Sequence, residues 1–188
     1  MNVLRWSRFV LIGAMLCTTA QAAPRVVDPA TSEITFQVTQ MGVDVSGRFT
    51  RFDGTVELDP ARPDSASARI NVEIASLSTG DADADAVALE DAWLNQAGFP
   101  KATFESSALK LLGGNRYEAK GTLNIRGKAR PLTVPLTIEK ARDGSLNVSG
   151  ALQLNRSDFG IGGGEWNDSD LVANTVPVKF RLHLINKP

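Results

Sequence analysis

Cysteine and histidine are almost missing from this sequence. Its 188 residues include one of each, Cys17 and His183. A disulfide needs two cysteines, and the usual zinc sites need several cysteine or histidine ligands, so neither is expected. His183 lies in an alternating segment whose apolar side chains point the other way, which places it on a solvent-facing surface rather than in a Ser-His-Asp site. The sequence therefore predicts no catalytic residue, no metal site and no cofactor site.

An excess of charge of one sign is also missing. The chain has 20 Lys and Arg residues against 21 Asp and Glu, a formal net charge of −1. Proteins that bind nucleic acid usually show a basic stripe or patch. Here the basic side chains are scattered among acidic ones and stand between apolar strand residues, so we expect no nucleic-acid partner.

One long apolar run lies near the amino terminus, at residues 9–19, after Arg5 and Arg8. It is too short for a membrane-spanning helix, which needs about 20 apolar residues. The small residues Ala20 and Ala22 follow it, as at a signal-peptide cleavage site. We therefore expect a signal peptide at residues 1–22, export of the protein, and one domain at residues 23–188 without stable membrane insertion. Cys17 would be removed with the signal peptide.

Alternation of apolar and polar side chains dominates the rest of the chain. This period of two places every second residue on one face of a strand. Short turns separate several of the runs, a spacing typical of an all-β sandwich or barrel. We predict a mainly β fold, an antiparallel barrel of about eight strands, because closing the sheet removes its exposed edges. The predicted strands occupy residues 34–39, 50–59, 68–74, 102–111, 117–125, 132–138, 146–154 and 176–184.

One segment departs from the alternation. Residues 81–96 are rich in alanine and acids and carry Val87 and Leu94 at a helical spacing, so we predict a helix there. Ser78 or Thr79 would cap its first turn, where acidic side chains suit the positive end of the helix dipole. The residues expected to close one end of the barrel are Trp93, Leu94, Ala97 and Phe99.

Two further motifs resemble ligand loops but fail at decisive positions. Alternate acids at residues 81–85 look like the start of a calcium loop, yet Ala86 and Ala92 stand where glycine and glutamate are required. The glycines of residues 160–164 follow a predicted helical turn at residues 155–159 and have no strand-helix-strand context, so they do not form a dinucleotide fingerprint. We interpret them as a flexible crossover near the mouth of the barrel, which could act with Trp166 as a gate.

A family resemblance extends over nearly the whole segment after the signal peptide. The order and spacing of several short motifs resemble those of the YceI-like family of bacterial periplasmic polyisoprenoid-binding proteins. The stretch beginning at Gly121 is the most specific. The motifs are Val27-Asp28-Pro29, residues 32–36, Met41-Gly42, Gly47-Arg48-Phe49, Phe52-Asp53-Gly54, residues 75–80, Trp93-Leu94-Asn95, residues 99–106, residues 121–127, residues 130–134 and residues 156–162.

The resemblance implies a lipocalin-like barrel in the periplasm that carries an isoprenoid or another long-chain amphiphilic lipid and is not an enzyme. The chain departs from the family at Leu94, where an aromatic residue is common, and at Asn174-Thr175, where an acidic pair is frequent. These departures concern the ligand more than the fold. The sequence leaves the oligomeric state open, a homodimer included.

A hollow barrel would place many apolar side chains against the lipid. We expect Arg126, Arg156 or Asn167 to contact a polar headgroup near the mouth. The residues expected to line the cavity are Phe36, Val38, Phe52, Ile70, Val72, Ile74, Trp93, Phe104, Leu123, Ile125, Val134, Leu152, Phe159, Trp166 and Phe180.

Two alternatives to the carrier stay open on the sequence alone. The barrel could be fully packed and serve as an interaction or accessory module for a membrane redox or stress system. An enzyme acting on a lipid-like substrate is the other alternative, although no polar residue stands out as its catalyst. A packed and a hollow barrel need the same alternation, because about eight strands suffice for either interior.

Overall fold

The computed structural model describes residues 24–58 and 62–187, so the predicted signal peptide lies outside the described residues. The described chain forms one antiparallel sheet and one short α-helix. Four single turns of 3-10 helix connect the strands at Pro63–Ser65, Ile74–Ser76, Arg156–Phe159 and Gly164–Asn167. The other elements are β1 Arg25–Val27, β2 Glu33–Gln40, β3 Val43–Phe49, β4 Phe52–Glu57, β5 Ser67–Glu73, β6 Leu77–Ser78, α1 Ala82–Leu89, β7 Lys101–Gly113, β8 Arg116–Ile125, β9 Lys128–Lys140, β10 Leu146–Asn155 and β11 Thr175–Asn186.

Eight of the strands close into a barrel, as the sequence predicts. Their order is β1, β4, β5, β7, β8, β9, β10 and β11, and β11 pairs with β1 to complete the ring. Every pairing is antiparallel, and neighbours from β7 to β11 are consecutive in sequence. The prediction of a mainly β, eight-stranded antiparallel barrel is confirmed.

The barrel is lengthened on one side by β2 and β3, which pair with each other and continue the paths of β1 and β4. The chain bends between β1 and β2, where the Asp28 carboxylate accepts hydrogen bonds from Ala30 N–H at 3.1 Å and from the Thr31 hydroxyl at 2.8 Å. Because β11 is 12 residues long, its end pairs with β1 and its middle with β2. The short strand β6 pairs with the end of β3.

The helix is shorter than predicted and has a different cap. It ends at Leu89 rather than near Gln96, because Glu90 has an extended backbone with ψ 168°, and the left-handed Asn95 at φ 46° turns the chain again. Asp81 is the residue that caps it, and its carboxylate accepts from the N–H groups of Asp83 and Ala84 at 2.9 and 3.3 Å. Thr79, a predicted cap, instead donates its hydroxyl to the Asp85 carboxylate at 2.7 Å.

The two ends of the barrel differ. One end, called here the α1 end, carries α1, the segment 90–99, the β8–β9 turn and the chain between β10 and β11. The other end has short turns and a tightly packed cluster that includes Val27, Leu146 and Leu184. Within the described residues, no helix has the length and apolar character needed to cross a membrane.

Candidate functional site: an apolar cavity along the barrel

The inward faces of the barrel strands enclose a cavity of about 240 Å³. Its wall is formed by aliphatic and aromatic side chains, and the exceptions are Ser67 and Ser106. Among residues 24–58 and 62–187, no charged residue belongs to this wall. A cavity with so few polar partners would hold water poorly and would favour hydrocarbon.

The cavity is long in the direction of the strands. Every second residue of β9 from Leu132 to Ile138 contributes to the wall, and so does every second residue of β11 from Val178 to Leu184. Six residue steps along a strand correspond to about 20 Å at ~3.3 Å per residue. The shape suits a chain-like molecule that lies along the barrel.

Phenylalanine rings lie close over inward-facing glycines in neighbouring strands. A Cβ at Gly150 would lie 2.5 Å from the Phe180 ring, and a Cβ at Gly121 would lie 2.8 Å from the Phe104 ring. Both phenylalanines belong to the cavity wall. Since a side chain at either glycine would displace a ring, the glycines allow the rings to line the wall without filling the space.

The serines of the wall offer little to a polar ligand group. The Ser106 hydroxyl lies 2.8 Å from the carbonyl of Lys120 and 3.1 Å from that of Ala108, so its donor is directed at the backbone. The Ser67 hydroxyl lies 3.4 Å from a carboxylate oxygen of Glu57, an exposed side chain. A polar headgroup would therefore find no free partner inside the cavity.

Most of the residues that the sequence nominates for the lining do lie in the wall. They come from six strands and from the turn after β5, and alternation places the strand residues among them on the inward face. Whether they contact a ligand stays a prediction. The predicted residues found in the wall are Ile70, Val72, Ile74, Phe104, Leu123, Ile125, Val134, Leu152 and Phe180.

The remaining predicted lining residues lie elsewhere. Phe36 covers Gly47 and packs against Phe49 with ring centres 5.5 Å apart, while Phe49 itself lines the cavity. Phe52 is buried in the core cluster that includes Val27 and Leu184, and Phe159 is buried outside the wall. The other three are Val38, Trp93 and Trp166, of which the two tryptophans pack against each other at 5.6 Å.

Several wall residues were not nominated, although the same signal marks them. Leu136, Ile138 and Leu154 continue alternating runs that already contain nominated residues. Leu94 is different, because it comes from the segment after α1 and reaches the wall at the α1 end. Its contribution agrees with the prediction that this segment closes one end of the barrel.

Arg156, nominated as a headgroup contact, is instead a buried structural residue. It is 4% exposed, and its five N–H groups are all directed at backbone carbonyls. Burial lowers the pKa of its guanidinium. It has no donor left for a ligand. The accepting carbonyls belong to Ala173 at 3.3 Å, Ile161 at 3.0 Å, Gly162 at 2.7 Å, Trp166 at 2.7 Å and Val172 at 2.8 Å.

The other two nominated headgroup contacts lie on the surface of the α1 end. Arg126 occupies the β8–β9 turn at φ 51° and donates hydrogen bonds to the carbonyls of Gly160 and, at 2.8 Å, Asp91. It therefore joins two loops of this end. Asn167 is exposed at the end of the turn Gly164–Asn167. Neither residue lines the cavity, and headgroup contact at these residues stays a prediction.

The glycine-rich loop is hydrogen-bonded and closely packed at Gly162, whereas Gly163 has open space around it. The N–H of Gly162 donates to the Ala92 carbonyl at 2.8 Å, and a Cβ at Gly162 would lie 2.5 Å from a nitrogen of Arg156. Gly163 has no heavy atom within 4 Å of the position its Cβ would take. The loop therefore packs over the segment after α1, next to Leu94 of the cavity wall.

The residues considered for catalysis or metal binding have structural surroundings. A ring nitrogen of His183 lies 2.8 Å from the side-chain oxygen of Asn147 on the outer face, opposite the wall residues Leu182 and Leu184. The acids of residues 81–85 serve the start of α1. Among the described residues, no group of three or more His, Cys, Asp or Glu side chains could hold a metal ion.

Comparison with known proteins gives consistent matches along the chain. The YceI-like domain matches residues 26–184. A UPF0312 protein of Shewanella denitrificans is 31% identical over 161 residues, which cover 80% of this chain and 84% of that protein. A UPF0312 protein of Azotobacter vinelandii is 29% identical over 150 residues, covering 76% of this chain and 78% of that protein.

Solved structures share the fold. BcnA of Burkholderia cenocepacia is 37% identical with a TM-score of 0.80, covering 84% of this chain and 98% of BcnA. A polyisoprenoid binding domain from Saccharophagus degradans, implicated in plant cell wall breakdown, has a TM-score of 0.73 and covers 89% of this chain and 100% of that domain. Its identity of 18% makes this a likeness of fold alone.

Proposed function

The chain belongs to the YceI-like family, and from that premise we propose that it is a non-enzymatic periplasmic carrier or storage protein for an isoprenoid or similar amphiphilic lipid. The lipid tail would lie in the barrel cavity. The observation that carries the proposal is the cavity of about 240 Å³, whose wall is apolar except for two serines. Such an interior offers a favourable environment to hydrocarbon and to little else.

Transfer energetics explain how such a site can retain its ligand. Each buried methylene contributes about 0.8 kcal/mol, so about twenty such groups would contribute about 16 kcal/mol before the cost of ordering the chain. That value approaches the limit of non-covalent affinity, at about 18 to 21 kcal/mol. The protein needs no strong polar contact to hold a long tail.

The headgroup would remain outside the cavity. A charged or strongly polar group is costly to bury without partners, and Ser106 already directs its hydroxyl at backbone carbonyls. The tail would therefore enter the barrel while the headgroup stays at an end of it. An isoprenoid tail fits this requirement because it is long and purely hydrocarbon, and the similar domain of Saccharophagus degradans is a polyisoprenoid binding domain.

The cavity also bears on the two alternatives. A packed interaction module would need its inward side chains to fill the barrel, whereas these side chains leave about 240 Å³ open. An enzyme would need a polar group directed at the substrate, and the wall offers two hydroxyls directed elsewhere. Both observations favour a carrier.

Mass spectrometry under native conditions tests the proposal. The protein would be purified from a periplasmic extract without detergent and measured before and after organic extraction. We expect a stoichiometric long-chain lipid that extraction removes, and an amino terminus at Ala23. A protein that is empty as purified and also ignores added polyprenols would contradict the carrier, and a protein retained in the cytoplasm would contradict its location.

A further inference from the structure

We propose that the outer surface of the barrel carries a second site, which binds a phosphate group. The site is a groove of about 450 Å³ that crosses β6, β3, β2 and β11. Arg48 and Lys179 supply its charge, and Thr35, Ser46 and Ser78 supply hydroxyl groups. We call it the outer groove.

Strand register places the two cations on the same face. Ser78 pairs with Arg48, Arg48 with Thr35, and Thr35 with Lys179, so these four residues form one row across four strands. Paired residues of a sheet point to the same side. Since neighbouring strands are about 4.8 Å apart, the backbones of Arg48 and Lys179 are separated by about 10 Å, and Thr35 lies between them.

The charges of this row are uncompensated. None of the acidic residues that the structure describes lines the outer groove. Arg48 and Lys179 make no ion pair with any carboxylate of residues 24–58 and 62–187. Two unpaired cations at this distance repel each other, and an anion between them would remove that cost. Three other exposed arginines of the barrel do have acidic partners, in the pairs Arg51–Glu73 at 2.6 Å, Arg69–Glu105 at 2.9 Å and Arg181–Glu33 at 3.0 Å.

The polar groups of the groove favour phosphate over a simple monovalent anion. A phosphate oxygen can accept two N–H bonds from the guanidinium of Arg48, while Lys179 supplies a point charge from the other side. Thr35 lies between the two cations, with its hydroxyl 3.4 Å from the Lys179 carbonyl, while Ser46 and Ser78 lie beside Arg48. The hydroxyls of all three line the groove and can donate to the remaining oxygens. A phosphate monoester has enough acceptor positions to use all of these donors at once.

The outer groove and the cavity lie on opposite faces of the same strands. Each residue of the groove row on β2, β3 and β11 has a cavity-wall residue next to it in the chain. These neighbours are Ile34 beside Thr35, Phe49 beside Arg48 and Val178 beside Lys179. The sheet therefore separates the two sites. A phosphate bound outside would belong either to a soluble compound or to a lipid headgroup at a membrane surface, and not to a tail within the barrel.

Titration with inorganic phosphate tests the site. Backbone amide NMR signals would be followed at constant ionic strength, with chloride as the reference anion. We expect saturable shifts at Thr35, Ser46 and Ser78. Arg48→Gln with Lys179→Gln should weaken phosphate binding at least about tenfold, since two charged hydrogen-bond donors are lost.

The matched control is Lys110→Gln with Lys120→Gln, which removes the same charge from exposed positions of β7 and β8. It should leave phosphate binding unchanged. Equal weakening in both double variants, or shifts that follow the exposed cations without saturating, would overturn the site. Because the cavity is not altered, tail binding should persist in both variants.

Vesicles identify the source of the phosphate. Co-sedimentation with phosphatidylcholine vesicles would be compared with and without phosphatidic acid. Sedimentation that needs phosphatidic acid and is lost in Arg48→Gln with Lys179→Gln would assign the phosphate to a lipid headgroup. Binding of inorganic phosphate without sedimentation would assign it to a soluble phosphate compound.

Discussion

Arg156 carries a charge into the α1 end of the barrel, where its five donors meet carbonyls of residues 161–173. None of the described carboxylates forms an ion pair with it. The guanidinium also stabilises the carbonyls, because a buried carbonyl without a hydrogen-bond partner lowers the stability of the fold. One side chain thereby fixes the path of the chain between β10 and β11.

Replacing Arg156 with lysine should destabilise the protein. Lysine has three donors in place of five, so at least two carbonyls would lose their partner. We expect Arg156→Lys to lower the free energy of unfolding by about 2 to 4 kcal/mol in a denaturant titration. Arg69→Lys is the control, and its exposed pair with Glu105 should cost less than about 1 kcal/mol. An Arg156→Lys protein as stable as the control would contradict the assigned role.

The carboxylate of Asp143 makes the stability of the folded protein depend on pH. The hydroxyl of Ser145 and then its N–H group hydrogen-bond the carboxylate, at 2.6 and 3.0 Å, and lower the pKa of Asp143. A lowered pKa in the folded state adds stability above the unfolded pKa of about 3.9, and this contribution is lost as the pH falls through the folded value.

Asp143→Asn should therefore be less stable than the unchanged protein at neutral pH. The difference should shrink as the pH falls from about 5 to about 2, because both forms then lack the charge. Urea unfolding at several pH values measures it. Asp44→Asn should behave in the same way, since hydrogen bonds from Thr39 and Gln37 lower the pKa of Asp44. A difference that stays constant with pH would contradict this explanation.

At the scale of elements, the sequence reveals the long barrel strands better than the short strands. Residues 117–125 and 146–154 alternate strictly and form β8 and β10 almost as predicted. The short strands β1 and β6 were not predicted, because two or three residues show no periodicity, and β3 at Val43–Phe49 was not predicted either. The predicted helix was too long, since alanine and acids favour a helix locally while the bonds of residues 90–99 to one another and to the loops decide where it ends.

The site was only partly predictable for a similar reason. Alternation identifies which face of a strand is apolar, and this places Leu123 and Val134 correctly in the wall. It does not reveal the space left when rings lie over Gly121 and Gly150, since that depends on neighbours in other strands. The environment of Arg156 was also hidden, because its partners are backbone carbonyls and any residue type supplies a carbonyl.

The loop of residues 160–164 can be tested as a gate with two adjacent glycines. A Cβ at Gly162 would lie 2.5 Å from Arg156 and 3.1 Å from the Trp93 ring, and Gly162 also has φ 67°. Gly162→Ala should displace the guanidinium, loosen the loop and accelerate lipid exchange severalfold in a fluorescent-lipid transfer assay.

Gly163→Ala is its matched control. Gly163 has an extended backbone and open space around its Cβ position, so alanine should be tolerated there without strain. Exchange should remain at the rate of the unchanged protein. Equal exchange rates in both variants would contradict a gating role for this loop.

At the scale of the whole molecule, the barrel is held together by antiparallel pairing around its circumference while its centre stays open. The tightly packed cluster around Leu146 and Leu184 lies toward the end opposite α1. Leu182 and Leu184 belong both to this cluster and to the cavity wall, so the packed core borders the open space directly. A side chain that fills the open space should abolish binding, while the antiparallel pairing keeps the barrel folded.

Ala68→Phe tests that expectation. Ala68 lines the cavity and pairs with Ser106, a small neighbour that leaves room for a ring. Overpacking is expected to cost about 1 to 3 kcal/mol of stability. We expect tail binding to weaken at least tenfold in a titration calorimeter, and Ala129→Phe, at an exposed position of β9, to leave it unchanged. Ala68→Leu offers a milder version should the larger residue impair folding, and full affinity in a folded Ala68 variant would contradict the location of the site.

The most direct measurement is the affinity of the protein for a series of n-alkyl alcohols of increasing length. A tail that enters the cavity should gain about 0.8 kcal/mol per methylene, which is about a fourfold increase in affinity. We predict that this increase continues until the cavity is full and then stops. An affinity that does not depend on chain length, or no binding at any length, would contradict the carrier.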